Sequence, residues 1–143
     1  TGNGVVDSST LKRQEMIAAG FEQFKKTPII GMGIGNAKYL GIYGYSYLHN
    51  NYIELLACGG IVGFLLYYTP YLYIGIKLLK FRRLSNELSN IVLIILVIIL
   101  LMDYGSVTYY SKSTYFYLMM FFIHVNNLKN DSKIKLSTIR EEK

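Results

Sequence analysis

From Ile53 to Leu79 the sequence stays apolar for longer than a bilayer core is thick, and its only charges are Glu54 in the first turn and Lys77 near the end. At a rise of ~1.5 Å per residue, a helix of that extent is roughly 40 Å long against a hydrocarbon core of about 30 Å, so it can cross with tilt to spare. A chain built around such a helix is a membrane protein. Composition agrees: 52% of the 143 residues are hydrophobic, and the excess falls after residue 52. Ala57, Gly59, Gly60 and Gly63 put small residues near the start of the helix, where another helix can approach closely. Pro70 predicts a kink. Glu54 can favour the helix N-terminus or orient a neighbouring cationic group.

Two further apolar stretches follow, at about 90–109 and about 113–127. Both are short for a crossing, so their Tyr-bearing ends and flanking residues must complete them at headgroup level. Lys77, Lys80, Arg82 and Arg83 crowd the first connector against Glu87 alone, whereas the second connector holds only Asp103 and Lys112. The positive-inside rule then puts the first connector and the basic tail (Lys129, Lys133, Lys135, Arg140, Lys143) in the cytoplasm, and the N-terminal loop and the 103–113 loop outside it. Asp103 lies near the outer face, where a carboxylate is either functional or simply hydrated. His124 reads as interfacial and inert. Cys58, the only cysteine, leaves no disulfide and no thiolate metal site, and reads as a small buried hydrophobe. The chain opens on Thr1-Gly2-Asn3-Gly4 with neither Met nor an apolar leader, as the C-terminal portion of a longer polytopic protein would. The expected architecture is an all-α integral membrane protein. An extracytoplasmic loop over 1–52 carries an amphipathic helix at about 11–26. Residues 53–143 form the membrane region, with transmembrane helices at about 53–79, 90–109 and 113–127 and a basic cytoplasmic tail.

Within the loop, Ser8, Ser9 or Thr10 can cap a helix running to Lys26, with Ile17, Phe21 and Phe24 on one face beside Met16 and Gly20. Lys12, Arg13, Glu15, Glu22 and Lys26 fall largely on the other faces. Too short in apolar content to span, the helix should lie on the membrane surface or against other helices, and Pro28 ends it. Gly31, Gly33 and Gly35 then alternate with apolar residues up to Asn36. They serve a tight turn, or they leave amides bare enough for an anion to approach; the spacing is neither a dinucleotide fingerprint nor a P-loop. Tyr39, Tyr43, Tyr45, Tyr47 and Tyr52 suit a headgroup-level belt and also suit stacking against sugar rings.

His49 stands where this polar loop meets the first span. An imidazole there can titrate near neutral pH, or His49-Asn50-Asn51 can be a plain helix start with an Asn as its cap. The net charge of +6 admits nucleic acid, anionic lipid or phosphate-bearing substrates. Extracytoplasmic placement of the loop argues against nucleic acid, while Lys12, Arg13, Lys25, Lys26 and Lys38 can still hold phosphate. An anionic substrate delivered from the lipid phase fits.

Taken in order, Arg13 with its aliphatic helix, Phe24, Pro28, Ile30-Gly31-Met32-Gly33-Ile34-Gly35-Asn36, then His49-Asn50 with Glu54, Ala57, Gly60 and Gly63 resembles the C-terminal signature of the O-antigen ligase and O-antigen polymerase superfamily, over roughly residues 10–80. The resemblance implies a glycosyltransferase of the bacterial cytoplasmic (inner) membrane, multi-pass, with its active face extracytoplasmic. Its substrate would be a polyprenyl-diphosphate-linked oligosaccharide, with neither nucleotide sugar nor metal ion nor other cofactor. An acceptor hydroxyl attacks the anomeric carbon of the donor sugar and the lipid diphosphate leaves. By that analogy Arg13 holds the diphosphate and His49 serves the acceptor hydroxyl as base or positioning group. Lys12, Lys25, Lys26, Gly31, Gly33, Gly35, Asn36, Asn50 and Glu54 are the substrate-binding candidates, Glu54 also as the partner that sets the His49 tautomer.

The sequence departs from the family in having Ile17 where an aromatic, commonly Trp, often follows the Arg, and in lacking the further basic residues of upstream helices, so it can be catalytically incomplete alone. A composition rich in Ile, Lys, Asn and Tyr leans toward a surface-polysaccharide polymerase of the capsule or O-antigen type, working with membrane lipids and other polysaccharide-assembly proteins. Two other readings stay open. One is ligase-type transfer of a finished glycan to a lipid or protein. The other is a non-catalytic membrane subunit or transporter fragment built on Glu54 and Asp103.

Overall fold

The structure is a computed structural model that describes residues 8–42, 44, 46–81 and 87–141, with side chains described as far as residue 130. Arg82, Arg83, Tyr43 and Tyr45, used above for topology and for the aromatic belt, lie outside the described residues, as do residues 1–7. The described part is helical: α1 (Ser8–Lys26), a short 3-10 helix (Asn36–Leu40), α2 (Asn51–Lys80), α3 (Glu87–Met102) and α4 (Lys112–Glu141). The chain divides into two compact units. Thr1–Tyr67 with Leu101–Tyr110 makes one, and Tyr68–Leu100 with Ser111–Lys143 makes the other.

In the first unit, Met16, Ala37, Leu48, Ala57 and Cys58 form the core, with Met32, Leu40, Ile42 and Ile53 packed against it. Cys58 is thus the small buried hydrophobe that its lack of a partner implied. The buried residues of α1 are Met16 and Gly20, whereas Phe21, on the face expected to meet the membrane surface or other helices, is exposed. Gly20 sets the contact: a Cβ there would stand 2.5 Å from Ile53 Cγ2 and 2.6 Å from Leu48 Cδ1, so only glycine lets α1 come this close.

The first nine residues of α2 and the rest of it are separated by one non-helical residue, Gly60, at φ 61° and ψ −166°. The sequence pointed to Pro70 for a kink, but Pro70 stays within helical geometry. The consequence of Gly60 is an exchange of hydrogen bonds. In an uninterrupted helix the Ile61 and Val62 N–H groups would donate to the Ala57 and Cys58 carbonyls, four residues back. Here Ile61 N–H donates to Pro28 O (2.8 Å) and Val62 N–H to Ile29 O (3.1 Å), while Ala57 O and Cys58 O accept from Met32 N–H (3.0 Å) and Gly33 N–H (2.8 Å). Residues 28–33 therefore splint the break, and each of these displaced backbone groups finds a partner. Backbone approaches backbone so closely that a Cβ on Gly60 would lie 2.3 Å from Ile29 O, and one on Gly31 2.3 Å from the Cys58 carbonyl carbon. The small-residue patch of Ala57, Gly59 and Gly60 admits this loop.

In the second unit the buried positions fall at spacings of three and four: Tyr71, Ile74 and Leu78 on α2, Ser89, Val92, Leu96 and Ile99 on α3, and Thr114, Leu118, Phe121, Val125 and Leu128 on α4. That is the seam pattern of packed helices. The Tyr73 hydroxyl donates to Asn126 Oδ1 (3.1 Å), and Ser89 Oγ lies 2.9 Å from His124 Nε2. His124 is therefore tied to a buried serine on α3 rather than merely interfacial. One helix among the described residues, α2, is long and apolar enough to cross a membrane; α3 is apolar but shorter. α3 ends at Met102, so the 103–109 stretch, included above in the second apolar span, is turn and loop.

Candidate functional site

The α2 start is built by two asparagines with different tasks. Asn50 Oδ1 accepts the Ile53 N–H (3.0 Å), the third-residue bond of a helix cap, so the capping role read from the sequence falls to Asn50. Its amide Nδ2 donates to the Tyr104 carbonyl (3.2 Å). Asn51 stitches the 103–109 loop to the helix. Its backbone N–H donates to Asp103 O (2.8 Å), its Nδ2 to Asp103 Oδ2 (3.2 Å), and its Oδ1 accepts the Thr108 N–H (2.9 Å) and Tyr109 N–H (3.1 Å). Asp103 is 0% exposed and also accepts the Thr108 hydroxyl, while Tyr67 and Thr108 share a hydroxyl contact of 2.9 Å. The hydrated Asp103 considered above gives way to a buried structural carboxylate, satisfied on both oxygens.

Held this way, the loop forms one wall of a cavity of about 340 Å³ lined by Tyr47, His49, Gly105, Ser106, Val107 and Tyr110. His49 enters it from the residue before the cap, with its backbone in the left-handed region at φ 53°, a conformation uncommon outside glycine and costly to hold. Its ring lies 4.4 Å from that of Tyr47, tilted by 54°.

Below this cavity lies Glu54, 0% exposed. Its Oε2 accepts the Leu48 N–H (2.7 Å), and its Oε1 accepts the hydroxyls of Tyr109 (3.0 Å) and Tyr110 (3.0 Å), which also hydrogen-bond to each other. Glu54 was expected to set the His49 tautomer or to face substrate directly; its oxygens go instead to a backbone amide and two phenols. Burial, with Glu54 close by, pushes the Tyr109 hydroxyl well above the usual phenol range and Tyr110 up to about 12, so both stay protonated donors.

The other candidates scatter. Arg13, Lys12 and Lys26 are exposed on α1, and Lys25 pairs with Glu22 at 2.7 Å, which holds the Glu22 carboxyl below its ordinary value. The amides of Gly31 and Gly33, considered as anion contacts, donate instead to Thr27 O and Cys58 O. Gly35, at φ 80°, turns the chain into the 3-10 helix, and Asn36 Nδ2 is spent on Met32 O (2.8 Å). What the structure gathers is His49 with Tyr47, Ser106 and Tyr110, over Glu54. Ser106 and Tyr109 were missed because the sequence assigned them to the end of a span, and Tyr110 because it was left in the connector that follows. The signal present there was the run of polar and aromatic residues after Met102, which is poor material for the middle of a helix.

These features define a helical protein with a polar, aromatic-walled cavity where a long apolar helix begins. The O-antigen ligase family model matches residues 3–68, which supports membership of the O-antigen ligase and polymerase superfamily. That family comprises glycosyltransferase-type enzymes of the bacterial inner membrane that act on lipid-linked glycans. The match takes in α1, the splint, His49 and α2 as far as Tyr68. No curated protein and no solved structure matches the chain.

Proposed function

We propose that the chain carries the acceptor side of an enzyme that joins polyprenyl-diphosphate-linked repeat units into a surface polysaccharide on the outer face of the inner membrane. The observation that carries this reading is the position of His49: within the segment matched to the family, the one imidazole stands in the wall of an open cavity. An acceptor sugar seated there would place a hydroxyl within reach of His49, which takes its proton or orients it as the oxygen attacks the donor's anomeric carbon. The bond from that carbon to the lipid diphosphate breaks, and the electron pair leaves with the phosphate oxygen. Arg13, with Lys12 beside it, is exposed on α1 and would neutralise this charge, Arg by two-point contact.

The membrane setting is supported by the surface of the helices. Leu65, Leu66, Leu72, Ile76 and Leu79 on α2 and Ile94, Val97, Ile98 and Leu101 on α3 are exposed, which suits contact with lipid or other helices. The test is made in the full-length protein. Arg13→Ala and His49→Ala should each abolish the polymer ladder and leave single repeat units, with the variants still inserted in the membrane. Polymer of ordinary length from both variants would reject the reading.

A further inference from the structure

Tyr110 is the one described residue common to the cavity lining and to the hydroxyl cluster on Glu54. We propose that it contacts the acceptor sugar beside His49, receiving a hydrogen bond from one of its hydroxyls, and that buried Glu54 is the positioning residue that makes this possible. The proposal rests on the reading of the cavity as the acceptor site.

All three recorded partners of Glu54 are donors: the Leu48 N–H and the two phenols. A phenol has one proton and two lone pairs; with its proton held by the carboxylate and one lone pair taken by the Tyr109 hydroxyl, Tyr110 offers an incoming group its remaining lone pair. The charge of Glu54 raises the electron density on that oxygen, which makes it a better acceptor. A hydroxyl of the sugar next to the attacking one can therefore donate toward Tyr110, which leaves the proton of the attacking hydroxyl for His49. Tyr47 and the Tyr110 ring supply apolar faces for the sugar's C–H groups, and Ser106 a further hydroxyl. The position of Tyr110 is fixed twice, through Oη by Glu54 and through the chain by Asn51, which accepts the N–H of the preceding residue. Leu48 N–H on the same carboxylate links the cluster to the residue before His49, so the imidazole and the phenol are placed by one carboxylate.

The experiment uses the full-length protein in membrane vesicles prepared from cells that supply their own lipid-linked repeat units. Tyr110→Phe keeps the ring and removes the hydroxyl. It should lower kcat for chain growth by about tenfold or more, the loss expected for a charge-assisted hydrogen bond, with KM for the lipid-linked donor little changed. Glu54→Gln should lower kcat similarly, and the double variant should fall no further than Tyr110→Phe alone, since the two act as one unit. Additive losses would overturn the positioning role of Glu54. Should Glu54→Gln fail to insert, Tyr110→Phe decides alone. Growth at the ordinary rate in Tyr110→Phe, with Arg13→Ala and His49→Ala inactive, would overturn this inference and leave the proposed function standing. Ordinary growth in all three would remove both.

Discussion

His49 combines two properties that a single substitution to alanine cannot separate: an imidazole in the cavity wall and a backbone held at φ 53°. Asparagine tolerates the left-handed region better than most residues. His49→Asn should therefore keep a thermal midpoint close to that of the parent in detergent and still lose polymer, whereas His49→Ala should lose both. Asn51 is the strongest structural residue of the site. Removing its side chain in Asn51→Ala leaves the Thr108 and Tyr109 amides without their acceptor, at a cost of about 3 kcal/mol, read as a fall in the unfolding midpoint. Tyr109 and Tyr110 share the alkaline pH dependence, and Tyr110 shows its sign. Its folded pKa of about 12 lies above the ordinary value of 10.0, so between those pH values the folded chain keeps a proton that the unfolded chain has released. The stability it contributes is whole below pH 10 and is lost as pH rises toward 12, which a stability curve taken alongside phenolate absorbance would follow. An asparagine cap at Asn50 or Asn51 was legible in the sequence because capping is local, and the structure gives the role to Asn50. The partners of Asn51 and Glu54 across the site were not, since they lie 52 to 58 positions away and nothing in the local pattern names them.

At the scale of elements, the bounds of α1 and α2 could be read closely, because Pro28 stops one helix and an apolar run with an asparagine cap starts the other. The break in α2 was misplaced. Proline removes one amide and disturbs one turn, but the chain continues as helix past Pro70. Gly60 adopts a conformation that other residues resist and leaves four backbone groups to be satisfied from elsewhere, and only the tertiary structure shows that residues 28–33 satisfy them. Gly60→Ala should accordingly cost about 3 kcal/mol or more, from positive φ together with the clash on Ile29 O. Gly63, in the same helix, meets nothing within 4 Å of an added Cβ and takes no positive φ. Gly63→Ala should shift stability by no more than about 1 kcal/mol, toward greater stability. Thermal unfolding of the pair in one detergent tests the contrast.

For the whole molecule, the helical class and the family were legible from the order of Arg13, the glycines, His49 and the small residues of α2, and the match over 3–68 agrees. The three-span topology is a proposal that sided labelling can test. Cys58 is buried, so Ser106→Cys in a background free of other reactive cysteines should react with an impermeant thiol reagent from the extracytoplasmic side and not from the cytoplasm. The transport reading draws no support from Glu54 and Asp103, both spent on internal hydrogen bonds. The splinted break also bears on how the protein is made. On the proposed topology α2 crosses the bilayer, where hydrocarbon supplies no substitute for a missing hydrogen-bond partner, so a ribosome delivering α2 bare of residues 28–33 would present the lipid with two open carbonyls and two open amides, at several kcal/mol for each. Translation runs in the safe direction: the segment that covers them leaves the ribosome first and is already waiting when the broken helix emerges.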